Sequence, residues 1–216
     1  IFIDSYYLDN ISYFMCWTFI SLGLAVIWGM GGILSFGQTA FFGLAGYAFS
    51  VISINFLGIA GVSIWSVILS LIITGIFGMI VGYFLFYGGI YDVFIGIVTL
   101  AITLVLETFM QQTAGPEYTI GSARLNGFNG MQGMPTIGFE SLQFGLLEGV
   151  TQYYFILLLA IIILISLYKF KQSKIGLVFL ASKEDRERVS SLGHNVQKTQ
   201  LIAFTIASLL AGISGI

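Results

Sequence analysis

The topology of the chain depends on the stretch KFKQSKIGLVFLASKEDRERVSSLGHNVQK, which runs from Lys169 to Lys198. This basic segment (residues 169–198) holds seven of the eight basic residues, and residues 1–168 contain a single base, Arg124. Long apolar runs lie on both sides of it. Loops rich in Lys and Arg between membrane spans face the cytoplasm, so we place the basic segment there and count the other spans from it.

The composition excludes an ordinary soluble domain. Apolar residues make up 57% of the 216 residues and charged residues 8%, against about 25% charged residues in an average soluble domain. The bilayer is therefore the solvent for most of the chain. The basic segment interleaves its bases with acidic residues and has no aromatic platform, which argues against nucleic-acid binding.

Cys16 and His194 are each the single residue of their kind. A metal site needs several Cys, His or carboxylate ligands at short spacing, so we predict no metal site and no internal disulfide. We interpret Cys16 as a small buried hydrophobic residue of a span and His194 as a solvated loop residue.

Hydropathy predicts an all-α, polytopic transmembrane helical bundle. Each span has about the 20 residues that a helix needs to cross the hydrocarbon, and such long uniform runs are not barrel strands. The predicted spans are residues 11–28, 33–54, 62–87, 91–112 and 150–168, with a sixth beginning near residue 199. We interpret residues 1–216 as a single transmembrane domain, a fragment truncated at the C-terminal end and at the N-terminal end.

Counting from the basic segment places residues 29–32 and 88–90 inside, and residues 55–61, residues 113–149 and the N-terminus outside. The outside segments carry mainly acids, as the positive-inside rule predicts: Asp4, Asp9, Glu117, Glu140 and Glu148. The outer loop, residues 113–149, is long and contains both prolines, Pro116 and Pro135. Long loops are usually functional or disordered, and apolar residues here predict packing against helix ends: Met131, Met134, Ile137, Phe139 and Leu142.

The second span opens with GMGGILSFGQTAFFGLAG, residues 29–46. Small residues recur every three or four positions, which predicts close helix packing, with Gly43 and Gly46 at the contact. A functional interpretation adds a broken entry at residues 29–37, with Gln38 and Thr39 facing a transport path. The run is not a nucleotide-binding glycine motif, so we expect no cofactor on this chain.

The fourth span places Thr99, Thr103, Glu107 and Gln111 at steps of four, on one helical face. A carboxylate in a membrane helix is a functional candidate. Thr99, Thr103 and Glu107 therefore either line a solute path or, in the case of Glu107, reach water at the outer end.

Residues 181–193 predict one short amphipathic helix within the basic segment. Ser182 is its candidate N-cap, Glu184 and Asp185 fall in its first turn, and Gly193 is its stop. Val189 and Leu192 give it an apolar edge.

Three blocks in this order resemble the branched-chain amino acid and urea ABC importer permeases: residues 32–47, the Asn-Gly-Met-Gln-Gly-Met-Pro run at 129–135, and residues 181–193 followed by the small-residue run 203–215. The resemblance implies a permease, not an enzyme, in the cell inner membrane. It also implies a second permease subunit, two ATP-binding subunits that carry the ATP, and an extracytoplasmic solute-binding protein. The ATPase-coupling residues would be Glu184, Asp185, Glu187, Arg188 and Gly193.

The solute stays open between branched-chain amino acids and urea or a short-chain amide, because Trp28-Gly29 and residues 187–189 suit the urea branch equally well. Two interpretations of other classes also stay open. An ion-coupled secondary transporter would need ionisable residues and broken helices in two matching halves. A membrane scaffold would have no solute path.

Overall fold

The computed structural model describes residues 5–59, 61–91, 93–134, 138–139, 144–146 and 149–216. Eight α-helices in these ranges are α1 Ser5–Leu24, α2 Gln38–Asn55, α3 Val62–Tyr87, α4 Val93–Gln111, α5 Gly149–Gln172, α6 Lys174–Glu184, α7 Arg186–Ser191 and α8 Val196–Gly215. The predictions for Asp4, Pro135, Ile137, Glu140, Leu142 and Glu148, and for the side chain of Phe139, lie outside what is described.

The predicted all-α polytopic bundle is confirmed. Five helices are long and apolar enough to cross a membrane, namely α1 with its extension to Met30, α3, α4, α5 and α8. Strands are limited, in the described ranges, to two short antiparallel hairpins of the outer loop. These are β1 Thr119–Ile120 with β2 Ala123–Arg124, and β3 Gly138–Phe139 with β4 Phe144–Leu146.

The second predicted span is not a continuous helix. α1 passes into a wide π-helical turn, Ala25–Met30, and residues 32–37 belong to no helix or strand before α2 begins at Gln38. Gly32 has a φ of +66°, a left-handed conformation that glycine adopts without steric cost. We call residues 32–37 the break. Hydropathy begins the predicted span at residue 33 and misses this interruption, whereas the broken entry predicted at residues 29–37 is found here.

Helix α8 lies at the centre of the bundle. Within its most apolar window 56% of the residues are buried, against 17–28% in the other four candidate spans. Its small residues Ala203, Ala207 and Ala211 are fully buried, and Phe204 stacks edge-to-face on both Phe41 of α2 and Phe86 of α3. Small residues let helices approach closely in a membrane bundle, which explains how α1, α2 and α3 all pack on one helix.

Contacts between distant segments define the two ends of the bundle. Lys183 of the basic segment reaches the carbonyl of Gly29, with 3.4 Å between Nζ and O. Arg186 lies over the ring of Tyr91, just before α4. We call this the basic end. At the opposite, hairpin end, Asn55 of α2 binds the β1–β2 hairpin, so the loops are grouped as the span count predicts.

Candidate functional site

The break is held against α4 by two threonines. The backbone N–H of Phe36 donates to Thr99 Oγ1 at 3.1 Å, and Thr103 Oγ1 donates to the Phe36 carbonyl at 3.2 Å. A Cβ at Gly37 would lie 3.2 Å from Thr99 Cβ, so the two chains are in close contact. Non-helical backbone at membrane depth survives only where protein or a wet cavity satisfies it, and these hydroxyls satisfy Phe36.

The predicted polar face of α4 therefore divides into two parts. Thr99, which is 1% exposed, and Thr103 bind the break. Glu107 is exposed and accepts a hydrogen bond from Gln111 Nε2 at 3.0 Å. The four residues share a face of the helix, but Glu107 and Gln111 pair with each other and not with the break.

Gln38 and Thr39 follow the break and point in different directions. Gln38 is 6% exposed, whereas Thr39 is exposed. The Gln38 side chain lies against α1, because a Cβ at Gly23 would be 3.2 Å from its Oε1. The structure thus separates two residues that were predicted to face one path, since neighbours in a helix are about 100° apart.

The Gln38 amide is buried without a hydrogen-bond partner. Neither its oxygen nor its nitrogen has a partner among the described residues. Leaving a buried donor or acceptor unpaired costs about 1–3 kcal/mol, and such groups in a folded protein call for an explanation. Gln38 is the one predicted path residue whose environment points to a missing partner.

The two predicted packing glycines of α2 differ. A Cβ at Gly46 would lie 2.7 Å from the carbonyl oxygen of Gly215, so α2 and α8 are in close contact there. At Gly43 nothing in the described part of the chain lies within 4 Å of such a Cβ. Close packing at Gly43 therefore stays a prediction, because no described atom of this chain supplies the contact.

The prediction of a single helix over residues 181–193 is wrong, because two helices, α6 and α7, meet at Asp185. Ser173 caps α6 by accepting from the N–H of Gly176. Ser182 is therefore inside α6, where its hydroxyl donates to the Phe179 carbonyl. Asp185 has an extended backbone and caps α7 by accepting from the N–H of Arg188 at 2.9 Å. Gly193, with a φ of +84°, ends the segment as predicted.

The predicted coupling residues form an exposed surface at the basic end. Val189 is buried and anchors α7, whereas Leu192 is 73% exposed, so the predicted apolar edge is only half buried. Exposed residues on this surface are Glu184, Glu187, Arg188 and Gly193. His194 beside them is exposed, in agreement with its interpretation as a loop residue.

The basic segment touches the beginning of the break. The fully buried ring of Phe179 occupies the place where a Cβ of Gly31 would be. The stem of Lys183 packs on Gly32, where a Cβ would lie 3.0 Å from Lys183 Cγ. Sequence reasoning missed both residues. The glycines at 29–32 indicate a close approach, but not which side chain approaches.

A cavity of about 580 Å³ lies between the break and the corner of α6 and α7. Its walls include Gly31 and Ile33 on one side, Tyr91 and Ile95 of the α4 region on another, and residues 182–187 on a third. The cavity thus borders the beginning of the break, the α4 region and the corner of α6 and α7.

The outer loop is fixed to the other end of α2. Asn55 Nδ2 donates to the Ile120 carbonyl at 2.8 Å, and Asn55 Oδ1 accepts from the N–H of Ser122 at 2.8 Å. Met131 is buried near Tyr47 of α2, as predicted for this loop, whereas Met134 is 47% exposed. α2 therefore connects the outer loop with the break.

Fold and site together define a multi-pass helical membrane protein with a broken second span and a basic segment in contact with the break. The family model described as branched-chain amino acid transport system / permease component matches residues 6–216. The chain belongs to this family. It is a permease component of a branched-chain amino acid-type ABC transporter system, which includes other subunits. No curated protein and no solved structure matches the chain.

Proposed function

We propose that this permease carries branched-chain amino acids across the inner membrane by alternating access. Two ATPase subunits would bind at the basic end on the cytoplasmic side, and a second permease subunit and an extracytoplasmic binding protein would complete the transporter. The observation that carries the proposal is the contact of Phe179 and Lys183 with Gly29–Gly32, because it joins the ATPase-facing segment to the break.

The basic end supplies a docking surface. Glu184, Glu187 and Arg188 are exposed, and α7 is fixed to the bundle by the buried Val189. A displacement of α6 and α7 by an ATPase would move Phe179, which is packed against Gly31. Packed interiors shift between discrete arrangements and do not deform continuously, so a small displacement at this surface is sufficient to reposition the break.

The break supplies a binding position for the solute. The unpaired amide of Gln38 offers one acceptor and two donors, and it stands in the first turn of α2, where helix N–H groups favour a carboxylate. An amino acid has a carboxylate for these donors and an ammonium group for the amide oxygen. Gln38 has no charge, so it would bind such a solute without holding it by an ion pair.

Urea or a short-chain amide is the second candidate solute. The observation that favours it is again Gln38, because an amide side chain pairs with another amide through one donor and one acceptor. Membership of the family favours ATP-driven over ion-coupled transport.

Transport by the complete transporter in proteoliposomes tests the proposal. We expect uptake of labelled leucine that requires ATP, with isoleucine and valine competing and urea without effect. Uptake driven by an ion gradient without ATP would contradict the proposal. Saturable uptake of urea without uptake of leucine would show that urea, and not an amino acid, is the solute.

Two neighbouring glycines provide a matched test of coupling. A side chain at Gly31 must displace Phe179, whereas a Cβ at Gly29 has no described atom within 4 Å. We expect Gly31→Ala to leave ATP hydrolysis in place and to lower the solute carried per ATP, while Gly29→Ala behaves as the parent. Equal coupling in the two variants, at equal membrane yield and melting temperature, would show that the Phe179 contact does not transmit motion.

A further inference from the structure

Arg186 joins the basic segment to two membrane helices at once. Its guanidinium carbon lies 4.1 Å from the ring centroid of Tyr91, which precedes α4. Its Nη2 donates to Gln200 Oε1 of α8 at 2.7 Å, and Gln200 is 2% exposed. The planar guanidinium can stack on an aromatic ring and donate in its own plane, so one side chain makes both contacts.

These contacts lie at the wall of the cavity beside the break. Tyr91, Arg186 and Gln200 line it, as does Ile95 of α4, which is 1% exposed. Removing the guanidinium would take away a cation–π contact and leave the oxygen of a buried amide unpaired. Separation of α4 from α8 at this position is therefore opposed by the first residue of α7.

We propose that Arg186 is a positioning residue that clamps α4 to α8 and keeps the cavity beside the break narrow. Release of Arg186 from Tyr91 and Gln200 widens the cavity and opens the path at the basic end. What passes through that path rests on the proposed function, whereas the clamp itself is a property of these three side chains.

The neighbouring bases do not share this role. The Arg188 side chain is 80% exposed and pairs with Asp185 of its own segment, with 3.4 Å between Nε and Oδ2. Lys183 instead contacts the π-helical turn before the break, through the Gly29 carbonyl. The chain changes direction at Asp185, whose backbone is extended. A new helix therefore starts at Arg186, and the Arg186 side chain reaches Tyr91 and Gln200.

Thiol labelling of Ile95→Cys in a Cys16→Ala background measures the opening of the cavity in the complete transporter without ATP. We expect Arg186→Gln to speed labelling by about tenfold or more, the change in equilibrium that corresponds to the loss of one charged hydrogen bond. Arg186→Lys should also speed it, because an ammonium group keeps the charge but loses the plane and the fork.

Lys198→Gln is the matched control. It removes the same charge from an exposed position two residues before Gln200, and labelling of Ile95→Cys should stay at the parent rate. Parent-rate labelling in Arg186→Gln, in a variant that melts at the parent temperature, would overturn the clamp. If labelling is equally faster in Arg186→Gln and Lys198→Gln, net charge and not the clamp controls access. The same conclusion would follow if Arg186→Lys labelled as slowly as the parent.

ATP hydrolysis and uptake separate this proposal from the proposed function. With the clamp lost, we expect faster ATP hydrolysis in the absence of solute and less solute carried per ATP. If the parent transporter carries no amino acid, the proposed function fails, and the labelling rates of the variants still test the clamp. If the parent transports normally and Arg186→Gln labels like the parent, the clamp fails and the function stands.

Discussion

The backbone of Phe36 crosses the bundle outside any helix, and side-chain hydroxyls replace the hydrogen bonds that a helix would supply. Thr99 accepts from its N–H and Thr103 donates to its carbonyl. Single polar atoms thus determine whether the break is stable, since a buried backbone group without a partner is costly.

Thr99→Val tests this dependence. Valine has nearly the shape of threonine but cannot accept from the Phe36 N–H, so the free energy of unfolding should fall by about 1–3 kcal/mol. Thermal melting of the purified chain in detergent measures the change. Thr108→Val on the same helix is the control, because Thr108 is exposed. Equal melting temperatures for the two variants would mean that the Thr99 bond does not stabilise the break.

Gly46→Ala and Gly43→Ala form a second pair at this scale. The new methyl group at position 46 would lie 2.7 Å from the Gly215 carbonyl oxygen, and such overpacking costs about 1–3 kcal/mol. The methyl group at position 43 meets no described atom within 4 Å and should stabilise the helix by up to about 1 kcal/mol. Opposite shifts in melting temperature are expected. A larger loss at position 43 in the complete transporter would indicate that a partner subunit packs there.

At the scale of elements, the corner between α6 and α7 depends on one cap. α7 has six residues, too few to be stable alone in water, and Asp185 supplies the acceptor at its first turn. This cap fixes the direction of Arg186 and the exposure of Glu187.

Asp185→Ala should destabilise α7 by about 1 kcal/mol, the usual value of an N-cap. The readout is the stimulation of ATP hydrolysis by the solute-loaded binding protein, which we expect to fall. Asp185→Asn keeps a good cap and removes the charge, so it should restore stimulation. If Asn fails as Ala does, the carboxylate itself contacts the partner and the cap is secondary.

The elements show which sequence signals determine structure and which do not. Apolar length predicts α3, α4, α5 and α8 within a few residues, because each must cross the same hydrocarbon thickness. The same signal misses the break, because it begins a span at residue 33. The glycine-rich stretch at residues 29–37 predicts a broken entry instead, and Gly32 there takes a left-handed conformation. Capping preferences identify the right residue types in the basic segment. Ser173, Ser182 and Asp185 all qualify as N-caps, however, and only tertiary contacts select among them.

At the scale of the whole molecule, α2 connects the two ends. Asn55 fixes its last residue to the outer hairpin, and its first residue, Gln38, follows the break. Which loops share an end of the bundle can be predicted from the number of spans between them and from the position of the basic segment. The partners of the break, Phe179 and Lys183, lie about 150 positions away in sequence, so no local pattern identifies them.

We infer that the basic segment controls the break and, through it, access to Gln38. Labelling of Gln38→Cys by a small thiol reagent, in a Cys16→Ala background of the complete transporter, tests this most directly. We predict slow labelling at rest, because Gln38 is 6% exposed, faster labelling when ATP is hydrolysed, slower labelling again with solute, and no effect of ATP when Gly31→Ala is added. A labelling rate that is the same at rest, with ATP and with solute would show that the basic segment does not control access to Gln38.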